Sequence, residues 1–151
     1  LNMSMNIAKE ILSTSYEKMK NTVTPKFTQE LSKNISEITN GKYNKVMFND
    51  EQGLLVETKN GNYVQMSKLS IGTIDQLYLS LRLSMLEDLS EEKMPIILDE
   101  AFAYYDDERL ENILKYLNEK SNNHQIIIFT CTKREEKILE NKNINYNKII
   151  L

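Results

Sequence analysis

Leu69-Ser70-Ile71-Gly72-Thr73-Ile74-Asp75-Gln76-Leu77-Tyr78-Leu79-Ser80-Leu81-Arg82-Leu83 is the stretch on which the reading of this chain turns. Leu77, Leu79, Leu81 and Leu83 alternate as in a strand, yet the segment 73–89 is long, poor in β-branched residues and rich in Leu. Length and propensity favour a helix, and one that is apolar nearly all round belongs in the interior. Ser70, Gly72 and Thr73 stand at its start. Free backbone N–H groups and small hydroxyls there suit an anion, and glycine lets a ligand approach the backbone. The same residues equally suit an ordinary serine cap on a core helix.

A second stretch, Met94-Pro95-Ile96-Ile97-Leu98-Asp99-Glu100, reads as a short buried strand ending in two adjacent carboxylates. In open α/β sheets ligands bind beyond the carboxyl ends of the strands, where one acid can hold Mg²⁺ and the other orient an attacking water. Asp106 or Asp107 then caps a helix whose inner face is Leu110, Ile113, Leu114 and Leu117. Gln125 to Thr130 is a second β-branched run. Strand, helix, strand at this spacing is a βαβ unit, so the two strands should be parallel. Lys133 to Glu140 is expected to be a short surface helix and Lys148 to Leu151 a last strand.

Upstream, Met5, Ala8, Leu12, Tyr16, Met19 and Val23 recur at threes and fours, a helical face over residues 1–24. It is either a packing helix or the root of a coiled coil. Thr24-Pro25 is expected to restart the helix, with Phe27, Leu31, Ile35 and Ile38 continuing one face and Asn40-Gly41 stopping it. Residues 43–66 switch to alternation, with turn chemistry at Asn49 to Gly53 and at Asn60-Gly61, which predicts a three-stranded antiparallel meander.

Composition sets the frame. The 151 residues fit one domain with a real core, and 40 % hydrophobic with 27 % charged residues is ordinary for a globular protein. A net charge of −3 gives no global pull toward nucleic acid, so a DNA contact would need a local basic patch. Lys133, Arg134, Lys137, Lys142 and Lys148 are candidates for one, although Glu135, Glu136 and Glu140 interrupt them as on a solvated surface. The single Cys131 forms no internal disulfide, and no apolar run reaches the roughly 20 residues of a membrane span. A cytoplasmic protein without membrane contact is expected. The opening Leu-Asn-Met suggests a piece of a longer polypeptide. His124 reads as a surface or strand-edge residue, and Tyr104 and Tyr105 as interface anchors or core.

Taken together, residues 69–83 resemble the signature segment of ABC-type ATPases of the SMC/SbcC group, most of all its YhaN-like bacterial members. Pro95 to Glu100 is similar to their Walker B strand, Phe102 to Leu110 to their D-loop, and Phe129 to Thr132 to their switch strand. The resemblance covers about residues 30–132. It implies an α/β fold, the C-terminal half of an ATPase head, with 1–40 a helical segment and coiled-coil base and 41–151 the C-terminal lobe. It also implies ATP and Mg²⁺ as cofactors of the full-length protein, an N-terminal P-loop lobe of the same polypeptide, and a second head as homodimer partner. DNA and a nuclease subunit are further partners of the group.

Carried onto this sequence, Ser70, Gly72 and Thr73 would contact nucleotide held by the opposite head. Asp99 would support Mg²⁺, Glu100 would polarise the hydrolytic water, and Asp106 would line the dimer interface. Two positions depart from the pattern: Ile71 replaces a glycine, and Thr132 stands where histidine is common. Threonine donates a hydrogen bond but carries neither the charge nor the reach of imidazole. No Gly-x-x-x-x-Gly-Lys-Ser/Thr occurs, so this stretch alone is expected neither to bind ATP tightly nor to hydrolyse it. Three readings follow: an ATPase half acting in DNA repair, recombination or chromosome handling, an ATP-gated clamp with little turnover, and a non-catalytic scaffold.

Overall fold

The computed structural model describes residues 2–49, 51–89 and 93–150, and the side chains of all of these except 2, 3, 16–24 and 87–89. A single helix, α1, runs Asn2–Ile38 with Pro25 inside it. The restart expected at Thr24-Pro25 is therefore absent. An interior proline removes one hydrogen bond and costs ~3 kcal/mol. Here the helix is held downstream of it by Leu31, Asn34, Ile35 and Ile38, all buried in the core. The face predicted from Met5 and Leu12 is exposed, and its members Tyr16, Met19 and Val23 have side chains outside the described set. Residues 4–15 are all exposed.

The stop at Asn40-Gly41 is observed. Both residues take positive φ (51° and 72°), and the Gly41 N–H donates back to the Ser36 carbonyl at 2.8 Å. The meander follows as β1 (Tyr43–Asn49), β2 (Gly53–Thr58) and β3 (Tyr63–Gln65), antiparallel in the order β1-β2-β3. The Asn49 carboxamide accepts from the N–H groups of Glu51 and Gln52, and Gly61 turns the second hairpin at φ 79°. Val46 and Val56 face each other across the ladder and bury against Leu31 and Ile35 of α1.

Helix α2 spans Ile71–Leu89. Its strand-like leucines resolve into two i, i+4 pairs on opposite sides. Leu77 and Leu81 meet the meander core, while Leu79 and Leu83 meet the core formed by α3 and the second sheet. A third stripe is polar yet buried: Thr73, Gln76, Ser80 and Ser84. Its serines are satisfied locally, Ser80 and Ser84 donating one turn back to the Gln76 and Ser80 carbonyls at 2.7 and 2.8 Å. The Asn34 carboxamide then donates to Ser84 and accepts from the Tyr116 hydroxyl, both at 2.8 Å. Three helices are thus joined through one buried amide.

The βαβ unit is β4 (Ile96–Asp99), α3 (Asp107–Lys120) and β5 (Ile126–Phe129), with parallel pairing Ile96↔Ile126 to Asp99↔Phe129. Strand β4 is covered on one face only. Ile96 and Leu98 are buried, whereas Ile97 is 61 % exposed, which corrects the expectation of a wholly buried strand. Helix α4 (Arg134–Asn141) matches the expected surface helix. The expected last strand is not formed. Residues 145–150 take no regular structure, Ile149 and Ile150 are exposed, and Leu151 lies outside the described residues. A strand needs a ladder partner, and this segment is instead tied by side chains, Lys148 to Glu136 and Tyr146 to Glu136 and Glu140. Among the described residues no helix is long and apolar enough to cross a membrane.

Candidate functional site

Two incomplete centres lie at the ends of one loop, residues 100–106, between β4 and α3. The first is built on the start of α2. The Ser70 carbonyl accepts from the N–H groups of Thr73 and Ile74, both at 2.9 Å, and the Ser70 hydroxyl lies 2.9 Å from that of Thr73. Ser70 is exposed, Thr73 almost wholly buried, and Ile71 projects outward. A Cβ on Gly72 would lie 2.7 Å from the Tyr104 carbonyl oxygen and 3.3 Å from Nη1 of Arg109. The close approach that requires glycine here is therefore to the chain's own loop.

Asp106 closes the same centre. It caps α3, its Oδ1 accepting from the Arg109 N–H at 2.9 Å and its Oδ2 from Arg109 Nη1 at 2.7 Å. The other arm of that guanidinium, Nη2, reaches Ser70 Oγ and Thr73 Oγ1, each at 3.5 Å. Tyr105 is core, its ring 5.6 Å from that of Phe102, and burial beside Asp75 pushes its phenol far above the ordinary range. Tyr104 is exposed. The Tyr105 hydroxyl and Gln76 Nε2 are buried without a hydrogen-bond partner among the described residues.

The second centre forms where β4 ends. Asp99 and Glu100 are both exposed. Glu100 takes φ 44°, a left-handed conformation that costs a non-glycine residue on the order of 1 kcal/mol and marks a constrained position. Its N–H extends the ladder to the Phe129 carbonyl at 2.9 Å, and its carboxylate accepts from the Cys131 N–H. The Cys131 thiol is pushed up, first by its hydrogen bond to Glu100 and then by that carboxylate's charge.

Thr132 is bonded to a different carboxylate. Its hydroxyl donates to Glu135 Oε2 at 2.7 Å, and Thr130 donates to the same oxygen at 3.1 Å. Glu135 is buried. The sequence carries a Thr-x-x-Glu spacing here, but α4 is capped at Lys133 without a side-chain bond and Thr132 meets Glu135 side chain to side chain, so no capping box forms. Arg109 was not singled out, because nothing local announces a contact 39 residues away.

The other candidates are settled by their neighbours. His124 Nδ1 is 3.0 Å from the Met94 carbonyl oxygen, at the strand edge. Arg134 donates to the Tyr105 carbonyl and Asp107, Lys142 pairs with Glu111, and Lys148 with Glu136, so the basic residues are largely spent on local acids. Lys115 first and then Lys142 hold the Glu111 carboxyl below its usual range, and Lys148 does the same to Glu136.

The donor set at β4 can be tested against Mg²⁺. Among the described residues no group of three or more metal-ligating side chains is gathered. Magnesium is commonly held by one or two carboxylates, with phosphates and water completing the octahedron, and an exposed Asp99 at a strand end fits that demand.

No family model matches the chain. It is 28 % identical over 131 residues to the uncharacterized protein YhaN of Bacillus subtilis strain 168, covering 85 % of this chain and 14 % of that one. The chain therefore spans about a seventh of that relative's length. Among solved structures it superposes on an SMC ATPase head from work on ATP-driven dimerization and DNA-stimulated activation (TM-score 0.61, 18 % identity, 79 % of this chain and 77 % of that). It also superposes on an Smc head bound to the C-winged helix domain of ScpA (0.60, 18 %, 80 % and 40 %). A third is the SMC head domain of Thermotoga maritima (0.59, 19 %, 83 % and 44 %). The fold is that of the C-terminal portion of an SMC-type ABC ATPase head, and the relation to YhaN agrees with it.

Proposed function

We propose that this chain is the C-terminal lobe of a coiled-coil ABC-type ATPase, completed by an N-terminal P-loop lobe of the same polypeptide and by a second head. The observation that carries the reading is the pairing of the α2 start with the Asp106 turn. Gly72 against the Tyr104 carbonyl and Arg109 across both caps give one surface bearing Ser70 and Asp106 together. In this reading that surface faces the nucleotide of the opposite head, with Ser70, Gly72 and Thr73 at the γ-phosphate. Residues 1–40 form the base of the coiled coil, whose exposed Met5 and Leu12 await a partner helix.

Asp99 would hold Mg²⁺, which when bound neutralises charge on the phosphates. Glu100 is the water-orienting carboxylate. Its left-handed backbone fixes its direction, and its bond to the Cys131 N–H couples it to the switch loop. The chain lacks a phosphate-cradling lysine loop, so the reaction belongs to the assembled head. A role in DNA repair, recombination or chromosome maintenance follows from the SMC likeness, one of those structures coming from work on DNA-stimulated SMC ATPases.

A second reading, an ATP-gated clamp with slow turnover, is favoured by one observation. The Thr132 hydroxyl is committed to Glu135 and is not free to donate to a phosphate.

The test is ATP turnover by the full-length protein beside Ser70→Arg and Glu100→Gln. Turnover lost in Ser70→Arg, with ATP-dependent dimers accumulating in Glu100→Gln, supports the ATPase. ATP-dependent dimers in the wild type without turnover support the clamp. Turnover indifferent to Ser70 refutes the sandwich arrangement.

A further inference from the structure

Arg109 holds a position that an ordinary helix-capping pair does not require. An exposed i, i+3 ion pair on a helix contributes little. The Arg109 side chain is only 22 % exposed, and its two arms do different things. Nη1 is bonded to Asp106 at 2.7 Å, and Nη2 lies 3.5 Å from both Ser70 Oγ and Thr73 Oγ1. A lysine could satisfy Asp106 alone, but only a planar fork spans both contacts.

The hydroxyl hydrogens then follow by counting. Ser70 and Thr73 share one hydrogen bond at 2.9 Å, and between them carry two hydrogens. Thr73 is 1 % exposed, and either hydroxyl can be the donor in that bond. Ser70 Oγ also accepts from the Thr73 backbone N–H at 3.4 Å and from Arg109 Nη2 at 3.5 Å, and these two N–H donors occupy both of its lone pairs. The hydrogen of Ser70 can then be given only outward, to Thr73 Oγ1 at 2.9 Å or to an acceptor on the exposed side of the residue. A hydroxyl in this state is a committed donor, suited to an acceptor-only phosphate oxygen and unsuited to a donor.

We propose that Arg109 is a positioning residue. It fixes Ser70 as a hydrogen-bond donor toward the phosphate across the head–head interface, and it ties that state to Asp106. The inference rests on the reading of Ser70 given above and deepens it. A shift of Asp106 draws Nη1, and with it Nη2, away from Ser70. The D-loop and the signature segment thereby report on each other within one head, through one guanidinium.

The experiment is steady-state ATP turnover and equilibrium Mg-ATP binding by the full-length protein, with thermal melting of every variant. Ser70→Ala, Arg109→Ala, Arg109→Lys and the Ser70→Ala/Arg109→Ala double variant are compared. Arg109→Ala is expected to lower kcat about tenfold, the scale of one charge-assisted hydrogen bond, with ATP affinity within about twofold of wild type. Arg109→Lys restores less than half of the loss, and the double variant is no worse than the poorer single one, because the two residues act as a unit.

A purely structural role predicts instead that kcat tracks the melting temperature and that the two losses multiply. That pattern overturns the proposal, as does an unchanged kcat in Arg109→Ala where Ser70→Ala is impaired. Wild-type protein without turnover, or turnover indifferent to Ser70, sinks the ATPase reading and this inference with it. If Arg109→Ala does not fold, Arg109→Gln, which keeps one planar donor arm, decides by the same comparison.

Discussion

Gly72→Ala should destabilise the protein through one atom pair. The added Cβ would lie 2.7 Å from the Tyr104 carbonyl oxygen, where ordinary contact begins at 3.4 Å, so about 0.7 Å must be found. The loop cannot swing away to supply it. Phe102 and Tyr105, on either side of Tyr104, are each 3 % exposed, and the Tyr105 carbonyl accepts from Arg134 at 2.7 Å. Overpacking of this kind costs roughly 1–3 kcal/mol, against which alanine's better helix propensity returns under about 1 kcal/mol in a first turn. The net loss is about 1–2 kcal/mol, a fall of roughly 2–8 °C in Tm for a domain of this size. Thermal unfolding followed by far-UV circular dichroism measures it, with exposed Ile71→Ala as a control expected within about 0.5 kcal/mol of wild type. The contact is with main chain, so adding Tyr104→Ala should not rescue Gly72→Ala. A Gly72→Ala variant that melts with the wild type would show that the carbonyl yields freely, and would refute the claim that glycine is required by the loop.

Tyr116→Phe removes the donor to Asn34 Oδ1 and leaves a buried amide oxygen short of a partner. The expected cost is about 1–2 kcal/mol, seen as a lower urea midpoint at unchanged slope. Alkylation of Cys131 should titrate with a midpoint above that of an ordinary thiol, because Glu100 disfavours the thiolate, and Glu100→Gln should move the midpoint down. Identical pH–rate curves for the two proteins would contradict the contact. The Glu136 carboxyl, held low by Lys148, should titrate by NMR below the ordinary carboxylate range and return to it in Lys148→Ala. With a depressed folded pKa, its share of stability is present above the unfolded value and is lost as pH falls through the folded one.

Much of the fold was legible because short-range chemistry dictates it. Asn60-Gly61 between two alternating runs announced the hairpin, Asn40-Gly41 the helix stop, and the spacing of the two β-branched runs the parallel pair. The helix over 73–89 needed length to override alternation. Its leucines alternate because the helix is sandwiched, each i, i+4 pair serving a different core. The misses share a physical cause. The Pro25 break and the strand at 148–151 were inferred from local preference, and both were decided by long-range terms. One was the core that holds α1 downstream of the proline, the other the absence of a ladder for the final segment. At the site, residue types and order were readable, but which hydroxyl meets which charge was not. Thr132 to Glu135 carried a recognisable spacing, whereas Arg109 to Ser70 carried none.

The two centres depend on one another through the loop that separates them. Its first residue is pinned by the Glu100 N–H to Phe129 and by the carboxylate to Cys131. Its last is pinned by Asp106 to Arg109, and its middle by Phe102 and Tyr105, packed together and joined by a main-chain bond of 3.0 Å. Seven residues held at three points have little slack to absorb a displacement locally. A change at either end must therefore reach the other or break a buried contact between them. The same argument explains why Gly72, which touches no carboxylate, is positioned to affect both centres. It is the point where α2 leans on the loop, and a Cβ there would meet the Tyr104 carbonyl at 2.7 Å and Arg109 Nη1 at 3.3 Å, the loop and the guanidinium that join Ser70 to Asp106.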